Sequence, residues 1–333
     1  PSPVVSRWEK WGQIRLETLV SRPEAGNVGR PQIPLMILAE RALAAGARAS
    51  PDAQSIPTRV PGMPTDDVID LAELRQELIR PTGLWQKVDL VPETGSTNAD
   101  LAARARQDEV AGTVLITDYQ SAGRGRQGRT WTAPPGSGIA MSILVRPDGI
   151  EPSRWSWLSL LAGLAVSDGV RRAADLPAVL KWPNDVLIAD RKVCGILSER
   201  VDTSQGPACV VGIGINVNIE EDQLPVPSAT SLTLAARQLG GPPPSRTAVI
   251  ATVLAAFELL YRRWEAQRGS DPSLAASYAE RCETIGRHVR VLLSEERSVE
   301  GIADGIDEDG RLVVRTISGS SVYGAGDVIH LQP

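Results

Sequence analysis

Three glycines and three arginines alternate in Gly123-Arg124-Gly125-Arg126-Gln127-Gly128-Arg129-Thr130. Glycine lets a backbone approach a ligand closely and adopt positive φ. Arginine offers a planar fork of donors to carboxylate or phosphate oxygens. The segment is therefore built to wrap an anion. Its spacing matches the phosphate-binding pattern GxxxxGK[ST], except that Arg129 stands where lysine belongs. That pattern needs a helix N-terminus directly behind the loop. Trp131-Thr132-Ala133-Pro134-Pro135-Gly136 cannot begin one, which argues against a P-loop nucleotidase. A solvated basic loop, for instance an RG segment that binds RNA, is a weaker reading, because one short cluster inside an ordered acidic domain is not an RG-rich tail.

Three further segments carry usable chemistry. In Lys181-Trp182-Pro183-Asn184-Asp185, Pro183 sets a sharp exit from a strand. The Asn184 amide supplies both a donor and an acceptor and could read an adenine edge. Asp185 could orient a neighbour or hold a metal. In Arg191-Lys192-Val193-Cys194-Gly195-Ile196-Leu197-Ser198-Glu199, Lys192 begins a strand and could project into a site, and Gly195 permits close ligand approach. In Val211-Gly212-Ile213-Gly214-Ile215-Asn216, the GxG lacks the third glycine of a dinucleotide fingerprint and no helix follows, so a Rossmann site is poorly supported.

Hydrophobic spacing predicts the elements that must position these groups. Leu71, Leu74 and Leu78 give a helix over Asp70–Arg80, ended by Pro81. Strands are expected at Trp85–Val91, Thr113–Asp118, Gly138–Arg146, Ala178–Lys181, Val186–Ile188, Arg191–Glu199 and Ala208–Ile215. Helices are expected at Ala99–Gln107, Ser153–Ala174 and Thr247–Gln267. Thr97 with Asp100 fits a capping box, placing Ser96-Thr97-Asn98 at a helix N-terminus. Residues 119–137 form a long loop, and 223–244 a Pro-rich connection with one short helix. From Gly286 onward, short β-type runs (Val289–Leu293, Val299–Gly305, Leu312–Ile317 and Ser321–Tyr323) suggest a small β-barrel.

Residues 1–65 contain nine prolines, and only Leu35–Arg48 carries a helical pattern. We expect a weakly ordered N-terminal arm there. Residues 1–80 hold 10 basic and 10 acidic side chains, an unpromising balance for a DNA-binding helix-turn-helix. The whole chain has 333 residues, 35 Lys+Arg and 40 Asp+Glu, for a net charge of −5, which argues against a protein that coats nucleic acid. Its length suggests about two domains. The 3 cysteines are far apart, so neither a disulfide framework nor a CxxC metal pair is available. A reducing cytoplasm is the expected compartment. No signal peptide or membrane span is expected. With only 2 histidines, His288 and His330, there is little material for a metal cluster or a Ser-His-Asp triad, and both read as structural or surface residues.

Taken together and in order, five motifs resemble the biotin protein ligase family. They are G-S-T-N at 95–98, Y-Q-x-x-G-R-G-R-Q-G-R at 119–129, K-W-P-N-D at 181–185, R-K-x-x-G-I-L at 191–197 and G-I-G-I-N-V at 212–217. The resemblance covers about residues 67–333. It implies an α+β fold, with a mixed β-sheet flanked by helices over 66–285 and a C-terminal SH3-like β-barrel over 286–333. The tail matches through Gly301, Gly305, Gly310 and Gly326-Asp327-Val328.

The resemblance also implies a two-step reaction. Biotin and Mg-ATP give biotinyl-5′-AMP and pyrophosphate. A lysine of a biotin carboxyl carrier domain then attacks the mixed anhydride. By the same resemblance, Ser96, Thr97, Asn98 and Gln120 surround the biotin head. Arg124 and Arg126, with Gly123 before them and Gly125 between them, close over it. Lys192 faces the carboxylate, Trp131 stacks on adenine, and Asn184 and Asn216 contact the nucleotide. Gly195, Gly212 and Gly214 line the floor. Asp185 serves Mg²⁺ or the incoming lysine, with Mg²⁺ held mainly by phosphates. Arg124, Arg126 and Lys192 would cancel the repulsion between a carboxylate and an α-phosphate. Lipoate ligases share the implied fold but lack GRGRxGR. A biotin-responsive DNA-binding regulator is the non-enzyme alternative. No membrane or nucleic-acid partner is expected, and a monomer and a homodimer both fit.

Overall fold

The structure is a computed structural model and describes residues 67–293 and 297–331. The arm expected over 1–65, with its Leu35–Arg48 helix, lies outside the described residues. No helix among the described residues is long and apolar enough to cross a membrane.

Seven strands form one mixed sheet. They are β1 (Lys87–Thr94), β2 (Thr113–Gln120), β3 (Gly138–Val145), β4 (Val179–Lys181), β5 (Asp185–Ile188), β6 (Arg191–Thr203) and β7 (Gly206–Asn216). Their order is β1-β2-β3-β7-β6-β5-β4. Only β1 and β2 pair in parallel, and the helix between them, α2 (Thr97–Ala105), makes the crossover that a parallel pair requires. Aliphatic and β-branched runs such as Thr113–Ile116 and Val210–Val211 suit strands buried on both faces.

One face is covered by α3 (Trp157–Ala174) and, beside it, α5 (Arg246–Ala266), with α1 (Leu71–Leu78) alongside α5. Twelve of the 18 residues of α3 are buried, which makes it the central helix of the core. The predicted elements are present with ends shifted by up to about four residues, and three readings need correction. The α2 cap is Ser96, whose Oγ accepts from Ala99 N at 3.5 Å; Thr97 is already helical. Residues Pro152–Ser156 form a separate 3₁₀ turn ahead of α3. A helix not foreseen, α6 (Pro272–Arg281), follows α5; Asp271 caps it and Pro272 opens it. The short helix of the Pro-rich connection is α4 (Leu232–Gln238).

The tail is a five-stranded antiparallel sheet of β8 (His288–Leu292), β9 (Ser298–Ile306), β10 (Leu312–Thr316), β11 (Gly319–Tyr323) and β12 (Asp327–His330). Its order is β11-β10-β9-β8-β12, and among the described residues no pair of strands closes it into a barrel. The four-residue β12 was not foreseen as a strand. It pairs with β8 and brings Gly326 and Asp327 toward the larger sheet's loops.

The two sheets meet along a seam of side-chain donors on backbone acceptors. Trp157 Nε1 donates to Glu308 O at 2.8 Å, Trp182 Nε1 to Gly310 O at 3.2 Å, and Ser156 Oγ to Asp309 O. Thr284 Oγ1 accepts from Trp182 N at 3.1 Å and lies 3.1 Å from His330 Nε2. Burial pushes the pKa of His330 down to about 4, and the nearby cations Lys181 and Arg287 act in the same direction. The folded chain thus favours neutral His330, whereas the unfolded chain takes up a proton near pH 6.5. This contribution to stability is present above about pH 6.5 and is lost as pH falls toward 4. Urea midpoints from pH 7 to 4.5 should fall more for the parent than for His330→Gln; parallel curves would exclude His330 from the seam's pH response.

Candidate active site

All the expected site residues except Gly123 line one cleft of about 570 Å³, a size that suits a small organic ligand. It opens where the C-terminal end of β2, the start of α2, the facing strands β6 and β7 and the turn after β4 converge. Segment 225–229 and β12 complete the wall.

The floor is a buried polar network. Gln120 Oε1 accepts from Thr97 N at 2.8 Å and from Thr97 Oγ1 at 3.1 Å. Ser142 Oγ lies 2.7 Å from Thr97 Oγ1 and 2.6 Å from Asn98 Oδ1. Asn98 Nδ2 donates to Leu197 O at 3.1 Å and to Glu199 Oε2 at 2.8 Å. Ser96, Thr97, Asn98 and Ser142 are all buried, so this network fixes which polar atoms face the cleft. Two of the glycines are sterically required. A Cβ on Gly212 would lie 2.2 Å from Asn98 Oδ1, and one on Gly214 would lie 2.5 Å from the Trp131 ring.

The Gly/Arg loop is a small hairpin over this floor. Arg124 bridges to Thr130, Gly125 N donates to Arg129 O at 2.7 Å, and Trp131 N donates to Gly123 O at 2.9 Å. Gly123 thus closes the loop's neck and faces a second hollow on the loop's other side. Each arginine has an anchor outside the loop. Arg124 Nη2 lies 2.6 Å from Glu199 Oε2. Arg126 donates to Asn184 Oδ1 at 3.0 Å and to Gly326 O at 3.3 Å. Arg129 Nη2 lies 2.8 Å from Asp327 Oδ1. Burial lowers the pKa of Arg126, the carboxylates of Asp327 and Asp185 oppose that shift, and nearby Arg129 reinforces it. Such a group stays cationic at neutral pH, since arginine ordinarily titrates above 12.

Lys192 enters the cleft at the start of β6. Its backbone is fixed on both sides: its N–H donates to Ser228 O at 2.7 Å, and its carbonyl accepts from Thr230 N at 2.8 Å. Its Nζ lies 2.5 Å from Asp185 Oδ1 and 5.9 Å from the centre of the Trp131 ring. Trp131 rests on Gly214 and beside Gly195, so its ring forms part of the floor. Asn184 Nδ2 donates to Ile196 O at 2.9 Å, which holds the amide in place. Asn216 Nδ2 donates to Thr230 O at 3.0 Å, while its buried Oδ1 has no hydrogen-bond partner among the described residues.

The arrangement can receive two anions. It sets three cations (Arg124, Arg126 and Lys192) in one cleft with a polar floor, an aromatic ring and two amides. Among the described residues there is no group of three or more His, Cys, Asp or Glu able to hold a metal, and Asp185 is engaged by Lys192. These donors do not make an all-protein Mg²⁺ cage; Asp185 is the one carboxylate of the expected site residues that could assist an ion held mainly by phosphates. The site residues that sequence reasoning missed are Glu199 and Asp327, which anchor the loop, and Ser142, which joins Thr97 to Asn98. The signal for Glu199 was its place at the end of the Arg191–Glu199 run, and Asp327 lay in the tail match without a role.

Residues 91–216 match the biotin/lipoate A/B protein ligase family, and residues 284–331 match the biotin protein ligase C terminal domain. The chain is 41% identical over 268 residues to the biotin--[acetyl-CoA-carboxylase] ligase of Mycobacterium tuberculosis, covering 79% of this chain and 96% of that protein. It is 36% identical to the bifunctional ligase/repressor BirA of Bacillus subtilis, over 71% of each chain. Its fold matches a biotin protein ligase from Aquifex aeolicus in complex with biotin and ATP, with a TM-score of 0.62 and 27% identity, covering 75% of this chain and all of that one.

Proposed function

This chain belongs to the biotin protein ligase family, and on that premise we propose that it activates biotin with ATP and transfers it to a lysine of a biotin carboxyl carrier domain. The observation that carries this reading is the convergence of Arg124, Arg126 and Lys192 on a floor made by Ser96, Thr97, Asn98 and Gln120. The polar floor takes the ureido head of biotin and leaves its carboxylate toward Lys192. Adenine lies against Trp131, where the unpaired Asn216 Oδ1 accepts from its amino group and Asn184 lies alongside.

In the first step a biotin carboxylate oxygen attacks the α-phosphorus and pyrophosphate leaves. Negative charge gathers where the two anions meet, and fixed cations stabilise it most in a site that excludes water. In the second step the neutral acceptor amine attacks the carbonyl carbon, AMP leaves and the amine loses a proton. The mixed anhydride is already activated, so no enzyme nucleophile is required. Asp185, paired with Lys192 in the cleft, becomes available to the acceptor ammonium once Lys192 has turned to the ligand. Mg²⁺ arrives on the phosphates of ATP. The three buried free cysteines accord with a reducing, cytoplasmic setting.

The experiment is incubation with biotin, Mg-ATP and a purified carrier domain, followed by intact mass. One added biotinyl group, dependent on ATP, is expected. An unmodified carrier, or modification only when lipoate replaces biotin, would overturn the proposal. The regulator reading depends on residues 1–65, which lie outside the described structure.

A further inference from the structure

We propose that Glu199 is a positioning residue that holds the Asn98 amide of the biotin floor and Arg124 of the Gly/Arg loop at fixed places relative to each other. This rests on the ligase reading above. A single carboxylate oxygen, Glu199 Oε2, accepts from Asn98 Nδ2 at 2.8 Å and from Arg124 Nη2 at 2.6 Å. The first donor is in the buried floor and the second is in the loop above it.

Neither partner is free to compensate for its loss. Asn98 is 4% exposed, and its amide orientation is set by Ser142 on one side and by Leu197 O and Glu199 on the other. With Glu199 gone, the remaining acceptor for Asn98 Nδ2 is Leu197 O, and Arg124 loses its anchor outside the loop. The Asn98 amide fills the space that Gly212 leaves, since a Cβ there would lie 2.2 Å from Asn98 Oδ1. Glu199 itself is on β6, paired with Val210 of β7, so its backbone belongs to the rigid sheet. A fixed strand therefore sets both the direction of Asn98 and the height of Arg124. Glu199 touches neither reacting atom; it acts through these two side chains.

The nucleotide end has no bond to Glu199. Asn216 and Asn184 are fixed by Thr230 and Ile196 and Trp131 by the glycine floor, and the loop meets them through Arg126 and the Gly123 neck rather than through Arg124. Removing Glu199 should therefore weaken biotin and retention of the adenylate selectively, with a smaller effect on ATP. A charge-assisted hydrogen bond is worth roughly tenfold or more in binding. Glu199→Ala should raise KM for biotin by about tenfold or more and KM for ATP by less than about threefold. Preformed biotinyl-AMP should leave the variant about tenfold faster. Glu199→Gln keeps an acceptor oxygen for Asn98 but lacks the charge that holds Arg124. It should recover most of the biotin KM while still releasing the adenylate faster than the parent.

The test measures both KM values, the release rate and the thermal midpoint for the parent, Glu199→Ala, Glu199→Gln, Arg124→Ala and the Glu199→Ala/Arg124→Ala pair. Release effects in the pair that fall well short of additive support action through Arg124. Equal rises in both KM values, full additivity, or a lowered midpoint with unchanged KM values would overturn the proposal. A parent that modifies no carrier would instead sink the ligase reading, so the two failures are distinct.

Discussion

Replacing Lys192 by methionine is expected to slow adenylate formation by about 10²–10³-fold, while biotin affinity falls much less. Methionine keeps much of the stem volume and removes the ammonium. That ammonium is partly buried, beside Trp131, at the start of a strand whose backbone is fixed by Ser228 and Thr230. A compact point charge suits a crowded meeting of two anions. If the charge acts mainly on the transition state, the loss should appear in the chemical rate more than in binding. The second half-reaction, started from synthetic biotinyl-AMP, bypasses the first barrier and should suffer less. The substitution also leaves Asp185 without its cation. Lys192→Met combined with Asp185→Asn removes that orphaned charge, and adenylate formation should remain slow. Single-turnover rates for each half-reaction check both points. Unchanged adenylate formation in Lys192→Met would remove this lysine from the chemistry of the first step.

Arg126→Gly is expected to release biotinyl-AMP about ten- to a hundredfold faster than the parent. Charge-assisted contacts are each worth on the order of 1.5–3 kcal/mol. The guanidinium is half-buried and links the loop to Asn184 beneath it and to Gly326 of the C-terminal sheet. Glycine removes both links and any contact with the α-phosphate. The remaining tie between this loop and the C-terminal sheet is then the exposed pair Arg129–Asp327, and exposed pairs contribute little. Escaped biotinyl-AMP is an acylating agent, so lysines of a bystander such as serum albumin should become biotinylated. Streptavidin blots and rapid desalting of the enzyme–adenylate complex measure the two effects. A retained intermediate with unchanged carrier selectivity would remove Arg126 from the clamp.

The catalytic sheet was readable because its strands are aliphatic runs with clear breakers, and because the five motifs fall at the strand ends that converge. The features missed have local causes. Asp100 lies three residues after Thr97 and suggested that Thr97 was the cap. Ser96 holds that position instead, because Thr97 is engaged by Gln120. The signal for α6 was present in Asp271-Pro272, a capping residue followed by the one helix position that favours proline, but its short Ala/Ser-rich body has weak periodicity. The four residues of β12 are too few to show alternation. Glu199 was hardest to see, since one acid in a long strand carries no pattern. Its role depends on Asn98 being 101 residues away in sequence and 2.8 Å away in space.

The seam between the two sheets has a consequence for how this protein can vary. Ser156, Trp157 and Trp182 grip three successive main-chain carbonyls, those of Asp309, Glu308 and Gly310. A carbonyl is the same whatever side chain follows it, so the grip recognises the path of the turn and not its residue identities. Asp307 sets that path, with Oδ1 accepting from Asp309 N at 3.0 Å and from Arg311 N at 2.8 Å. Gly310 takes φ +79 and leaves no space beside Leu160. Glu308 and Asp309 add ion pairs with Arg154 and Arg311, which contribute little where exposed, so positions 308 and 309 are more open to sequence drift than 307 and 310. Surface charge at this corner of the molecule can be rewritten over evolutionary time without parting the sheets that share the cleft.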